Sequence, residues 1–398
     1  MARTPVGGGP DQEGTKGPDP EPFGERPWQQ AVVVGQEGAA SMRTIGRDER
    51  RPDAGSVRAA LTLALAAPSV HNSQPWQWRW DGVHATDDQG VGAIDLYADR
   101  TRWLRATDPR GTDLLVSCGV VLHHARVAFA AEGWDAQAQY LPDATRPDHL
   151  ARLTFRAAAV EPAHVTLAEA ILSRRTDRRW FAAQRVPDEL LAELIAAAEH
   201  RGARVTRLTR PGFRVGLTET LRASRLQNWD PRYLDELARV TNRFQLDASG
   251  IPAANRTGTT SHMNRTFPAG TLADPAPADG PERAEVVVLG ADEPGPLGAL
   301  TVGEACSAVL LGATAAGLAS CVMSQPLESA SARRRLREVL DVPMEPLALV
   351  RLGWPVSADP VPPTPRRPLA EMLLPSDAMP KVPGAKDLRP VTTIPADS

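Results

Sequence analysis

Lysine is nearly absent from this chain. Only Lys16, Lys381 and Lys386 occur among its 398 residues, all in terminal segments rich in Pro, Gly and Asp, so every cation available to a folded site is arginine or histidine. Any phosphate held there is held by guanidinium groups, which offer bidentate, permanently charged contacts. Cysteine is scarce as well. Cys118, Cys306 and Cys321 are far apart, odd in number and without a CxxC, which indicates neither a disulfide framework nor a zinc knuckle. They read as small buried apolar residues. No run approaches ~18 uninterrupted apolar residues, and no apolar stretch follows a basic start at the N-terminus, so neither a spanning helix nor a secretory signal is expected. The expected location is the cytoplasm, with no membrane partner. A basic excess is also missing: 45 Lys plus Arg stand against 48 Asp plus Glu, a net charge of −3. That balance argues against a nucleic-acid partner. HExxH, Walker A and GxSxG patterns do not occur. The glycines at Gly90 and Gly92 lack the third member of a dinucleotide fingerprint and precede a strand where that fingerprint must open a helix.

What is present is enough apolar sequence, 42% of residues, to bury a substantial core. Residues 1–50 and 376–398 are rich in Gly, Pro and charge and are expected to be a disordered extension and a loose tail. Met42, near the first periodic sequence, is an alternative start. Between these tails the periodicity predicts helices over 57–66 and 113–132 and strands in VHNSQPWQWRW and AIDLYAD, with 143–156 as a linker feeding a short strand. The order then begins again. Helices are predicted over 167–179, 187–199, 300–317 and 330–340, and strands over 204–208, 284–290, 320–323 and 346–352. The two longest helices share an apolar body, small central residues and a terminal glycine, which suits central, mutually packed helices. The segment from about 225 to 280 breaks this order with one helix, NWDPRYLDELARV, and a long polar stretch. An insertion of that length is a lid, an arm or disordered.

Two strings carry chemistry. In Ala67-Pro-Ser-Val-His-Asn-Ser-Gln-Pro-Trp76 a helix runs out at Pro68 and a strand begins at Pro75, which gathers the polar groups of Ser69, Asn72 and Gln74 at a strand mouth. In Arg174-Arg-Thr-Asp-Arg-Arg179 an extended chain puts Arg174, Thr176 and Arg178 on one side. Alternating Arg, hydroxyl and Arg make a phosphate clamp, although an arginine cluster alone also fits a solvated face. His123 and His124 read as core residues. His71, inside the first loop, is a candidate to touch a ligand.

Together the strings resemble the flavin nitroreductase superfamily. The first is similar to its Pro-Ser-x-x-Asn-x-Gln-Pro-Trp pattern and the second to its Arg-x-Ser/Thr-x-Lys/Arg phosphate signature. Residues 315–324, 350–355 and 365–369 resemble its later strand entries and basic residues, and roughly residues 50–375 look like the dormancy-associated Acg-type branch. Each motif occurs once, in opposite halves. The resemblance therefore implies an α+β fold, nitroreductase-like, built as a fused pseudo-dimer of two mixed or antiparallel sheet halves with long central helices. The expected division is residues 51–160 and 161–375, with the lid-like insertion at about 225–280 in the second half. One complete FMN site per chain is implied, with a defective mirror site where Ala198-Glu-His-Arg-Gly-Ala-Arg-Val205 replaces the polar loop.

Carried over residue by residue, the resemblance assigns Arg174, Thr176, Arg178 and Arg366 or Arg367 to the phosphate. Pro68, Ser69, Asn72 and Gln74 belong to the opposite wall, and backbone groups near Met323, Ser324 and Gln325 face the flavin ring. Val70 departs from a frequent second Ser, and the late family Lys is Arg. No side-chain acid, base or metal is implied. The implied activity is an FMN-dependent oxidoreductase taking hydride from NAD(P)H and passing electrons to nitroaromatic, quinone-like or other flat acceptors. The alternative is an FMN-sequestering protein with little turnover. Either a monomeric pseudo-dimer or a homodimer fits.

Overall fold

The computed structural model describes residues 51–80, 90–208, 226–241, 248–257, 270–328, 330–340 and 344–375, with isolated positions that include Phe267. The segments 1–50 and 376–398, expected to be loose, lie outside the described residues.

Helix α1 (Ala54–Ala64) starts where the Asp53 carboxylate accepts the Ser56 amide at 2.8 Å, and it buries Val57, Ala60, Leu61 and Ala64 along one stripe. The first sheet follows: β1 (Trp76–Trp80), β2 (Ala93–Ala98), helix α2 (Thr112–Ala131), β3 (Trp134–Tyr140) and β4 (His149–Ala157). Its strand order is β1-β2-β4-β3, with every ladder antiparallel. Helices α3 (Pro162–Ser173) and α4 (Asp188–Glu199) lead into the second sheet. That sheet contains β5 (Arg204–Arg207), β6 (Glu285–Ala291), β7 (Ala319–Met323) and β8 (Glu345–Gly353) in the order β5-β6-β8-β7. Helix α5 (Pro231–Thr241) lies in the connection from β5 to β6, α6 (Pro296–Ala315) joins β6 to β7, and α7 (Ala330–Leu340) precedes β8.

The halves repeat one plan down to its irregularities. A bulge interrupts the second strand at Leu96/Tyr97 in one sheet and at Leu289/Gly290 in the other. Helices α2 and α6 both end on a left-handed glycine, Gly133 (φ 85°) and Gly317 (φ 79°). They cross where their backbones touch. A Cβ on Gly119 would lie 2.1 Å from the Leu300 carbonyl oxygen, and one on Gly303 would lie 2.2 Å from that of Val116. Both helices are long and apolar enough to cross a bilayer by composition. Their burial against each other and the two sheets accounts for that apolarity.

Each sheet also gains a parallel bridge at an edge, which is where the expected mixed character resides. Leu373 pairs with Trp78 in β1, so the chain beyond β8 crosses to the first half, and Thr176 pairs with Ser320 in β7.

The sequence reading differs from the structure in three places. Val70–Asn72 is a short 3-10 turn and not part of β1. Helix α3 stops at Ser173, leaving the arginine string extended. Strand β3 was not anticipated: WDAQAQY buries only Ala136 fully and contains residues of low strand propensity. It is made a strand by pairing with β4 from Trp134↔Ala157 to Tyr140↔Ala151, so the presumed linker is a hairpin connection running into a nine-residue strand.

Candidate functional site

The polar loop after α1 is held in an unusual backbone. His71, Asn72 and Gln74 have φ values of 47°, 54° and 51°, a region that costs side-chain-bearing residues about 1–3 kcal/mol and clusters at functional sites. The Ser69 hydroxyl accepts the Gln74 amide at 2.9 Å, and the Val70 amide donates to the Ser117 hydroxyl on α2 at 3.1 Å. The loop is thereby fixed against the central helix.

From the second half, the arginine string leaves α3 as extended chain and is pinned when the Asp177 amide donates to the Ser320 carbonyl at 2.8 Å. The two-residue period then sorts its side chains. Arg174, Thr176 and Arg178 face a cleft, whose wall the intervening Arg175 also joins. Asp177 and Arg179 point away and pair with each other at 2.8 Å.

The cleft has two lobes that share Pro68, Ser69, Thr176 and Arg178. The first, about 900 Å³, is largely apolar: Val116 and Val120 of α2, Val322, Leu347 and Ala348 form its walls. Met323, Ser324 and Gln325 edge it where β7 ends. The second lobe, about 820 Å³, is lined by Arg174, Arg175, Arg178 and Arg366, with Thr364 and Asn255, and by no carboxylate.

Arg174 is 5% exposed, and neither it nor Arg366 forms an ion pair among the described residues. Burial pushes the Arg174 guanidinium down to about 10, helped by Arg175. Burial and then Arg174 push Arg366 down to about 9. Nε of each, and Oδ1 of Asn72, are buried without a hydrogen-bond partner. Such groups are costly to leave bare, so the lobe is built for an anion carrying hydroxyl or phosphoryl oxygens.

Two residues of the anticipated set lie outside both lobes. Gln74 is fully buried; its Nε2 donates to the carbonyls of Ala248 at 2.7 Å and Asn72 at 3.3 Å, and its Oε1 accepts the Arg367 amide at 2.9 Å. The Arg367 side chain turns toward Glu371 and Asp99, so of the two late arginines only Arg366 faces the cleft. The remaining anticipated residues line one lobe or both. Asn255, Thr364, Ser117 and Phe267 line it too, and no local motif marked them, because long-range folding brings them there. His123 and His124 are core residues, as expected: both Nδ1 atoms meet the Ser307 hydroxyl, at 2.7 and 2.8 Å, and burial holds both rings neutral.

Three described residues of the insertion line the cleft. Ile251 and Asn255 wall the arginine lobe, and the Asn255 carbonyl accepts from Arg178 at 3.1 Å. Phe267 lines the apolar lobe, with the Arg178 guanidinium 5.1 Å from its ring centre and the His71 ring edge-on at 5.7 Å.

At the mirror position the same plan carries different side chains. Glu304 follows the crossing glycine of α6 as Val120 follows that of α2, and Tyr140 stands as far beyond Gly133 as Ser324 beyond Gly317. Buried Glu304 accepts from Arg126 at 2.9 Å and from the Tyr140 hydroxyl. At the counterpart of the polar loop, helix α4 ends at Glu199 and a tight turn over 200–203 leads directly into β5 at Arg204.

The profile of the nitroreductase family matches residues 171–354. The Mycobacterium tuberculosis H37Rv protein named "Putative NAD(P)H nitroreductase Rv3131" is 38% identical over 355 residues, covering 86% of this chain and 96% of its own length. A second protein of that strain, "Putative NAD(P)H nitroreductase acg", is 36% identical over 327 residues, covering 79% and 94%. Among solved structures, a nitroreductase with bound FMN from Desulfitobacterium hafniense DCB-2 aligns with 49% of this chain and 92% of its own, at 18% identity and a TM-score of 0.32.

Proposed function

This chain belongs to the nitroreductase family, and on that premise we propose that its two-lobed cleft binds FMN and that the protein is an NAD(P)H-dependent oxidoreductase acting on nitroaromatic or quinone-like acceptors. The observation that carries this is the pairing of an apolar lobe with an adjoining lobe that holds Arg174 and Arg366, neither of which forms an ion pair among the described residues. A flat apolar ring and a phosphate on one molecule satisfy both. Arg174 and Arg366 would hold the phosphate, with Thr176 and Arg178 beside it. The unpartnered Oδ1 of Asn72 would accept from a hydroxyl of the connecting chain, and Ser69 faces the same space. Residues 323–325 would meet the ring edge, where backbone dipoles oppose developing negative charge.

When bound, FMN supplies the hydride acceptance and donation that let one pocket serve donor and acceptor in turn. The protein would supply position and exclusion of water: Val116, Val120, Val322, Leu347 and Ala348 would enclose the ring face, and no side-chain acid or base is required. The mirror position carries the Arg126–Glu304–Tyr140 cluster in place of an apolar wall, so we assign one flavin to each chain. A nicotinamide donor would fit a cytoplasmic location, which we propose with it.

A second reading is favoured by one observation. Phe267, Ile251 and Asn255 line the cleft from the insertion, which would retain FMN yet shield it from a nicotinamide. Anaerobic addition of NADH or NADPH to the FMN-loaded protein separates the two. Rapid bleaching of flavin absorbance supports the oxidoreductase. Bleaching by dithionite but not by nicotinamide supports a flavin store, and failure to take up FMN refutes both.

A further inference from the structure

Asn72 and Gln74 each touch the same two segments. Asn72 Nδ2 donates to the Gly250 carbonyl of the insertion and to the Pro365 carbonyl of the arm beyond β8, both at 3.0 Å. Gln74 Nε2 donates to the Ala248 carbonyl at 2.7 Å, and its Oε1 accepts the Arg367 amide at 2.9 Å. The residue between the two clamped arm positions is Arg366. The geometry points to a two-point latch: the two amides act as positioning residues that make seating of the insertion and placement of the Arg366 guanidinium a single event.

The physical basis is the shared scaffold. All four bonds originate on a loop whose left-handed φ values at Asn72 and Gln74 fix where the amides point. A primary amide offers donor and acceptor at fixed separation, so a shift of the insertion at 248–250 pulls on the same groups that hold 365–367. The backbone adds to this, since the Gly250 amide donates to the Asn72 carbonyl at 3.4 Å. An anion that draws Arg366 into the cleft therefore favours the seated insertion, and by reciprocity a seated insertion raises affinity for the anion. Riboflavin has the ring and hydroxyls of FMN, and so the same bond to Asn72, but lacks the phosphate that engages Arg366, and it should bias the latch far less.

This rests on the flavin reading above, and the test separates the two. Hydrogen exchange of backbone amides over 248–255 is compared in the free chain, with FMN, and with riboflavin at matched saturation, together with affinities from flavin fluorescence. FMN is expected to slow exchange there by about tenfold or more, and riboflavin to do little. In Gln74→Met that protection should vanish and FMN affinity should drop by about tenfold toward the riboflavin value, with riboflavin affinity unchanged. Equal protection by the two flavins in the wild-type chain overturns the latch without need of a variant, and so does undiminished FMN protection in Gln74→Met. A chain that binds neither flavin overturns the cofactor assignment itself.

Discussion

Arg174 and Arg366 donate to the same atom, the carbonyl oxygen of Ala66, at 3.4 and 3.0 Å. One comes from the string after α3 and the other from the arm beyond β8, and a single backbone dipole at the end of α1 orients both. Two like charges converging on one carbonyl leave an electrostatic debt that a phosphate dianion cancels. Arg174→Ala should weaken FMN by about 2 kcal/mol, roughly 30-fold, and leave riboflavin unaffected. Fluorescence titration of both flavins checks this, and unchanged FMN affinity would place the phosphate elsewhere.

The same pair sets a pH dependence for binding. An exposed guanidinium keeps its proton throughout, but burial, with Arg174 beside it, pushes Arg366 down to about 9, and burial, with Arg175 beside it, pushes Arg174 down to about 10; an anion needs both charged. FMN affinity should be flat from pH 7 to about 8 and decline above about 9 as Arg366 loses its proton. Stability of the free chain runs the other way. Both folded values lie below the unfolded arginine value, so the folded state holds fewer protons in that window and the cost of the buried charges lessens as pH rises. Affinity that stays constant to about pH 10 would show that Arg366 does not face the phosphate.

On the first sheet, burial alone would raise the Asp95 carboxyl. Hydrogen bonds from His149 at 2.8 Å, Arg152 at 2.9 Å and Arg79 at 3.2 Å outweigh burial and hold it far below the ordinary carboxylate range. A depressed acid stabilises the fold above its unfolded value, and the contribution is lost as pH falls below about 4. Asp95→Asn should lower the urea midpoint at pH 7 and flatten the loss of stability on acidification. A parallel acid profile for the two proteins would mean that Asp95 is not its source.

The helix crossing is intolerant of a methyl group. Gly119→Ala or Gly303→Ala places Cβ about 2 Å from a facing carbonyl oxygen, against backbone that has no rotamer to relieve it. Each should destabilise by about 3 kcal/mol or more, with lowered urea midpoints. Because Val116 and Val120 flank Gly119 and line the cleft, FMN affinity should fall as well.

Saturation with FMN is expected at one flavin per chain. At the mirror position Glu304 and Tyr140 stand where Val120 and Ser324 stand at the site, and the Arg126 guanidinium holds the carboxylate in place. Equilibrium dialysis with absorbance quantification gives the count. Two flavins per chain would refute the assignment of a closed mirror site.

Most elements of the fold were legible in the sequence because the helices and buried strands carry strong periods. The amphipathic stripe of α1, the apolar α2 and α6 and the β-branched β6 each announce themselves within a dozen residues. The strings at 67–76 and 174–179 both supply residues that line the cleft, since local spacing fixes which side chains share a face. Tertiary structure decided what depends on distant partners. Strand β3 exists because β4 pairs with it, and Arg366 faces the cleft while Arg367 does not, because Gln74 holds the Arg367 amide. Asn255 and Phe267 meet the site only because the insertion folds back to it. A residue's type and local period are written in its neighbours along the chain, but the partner that satisfies a buried amide or guanidinium is chosen only when remote segments pack together.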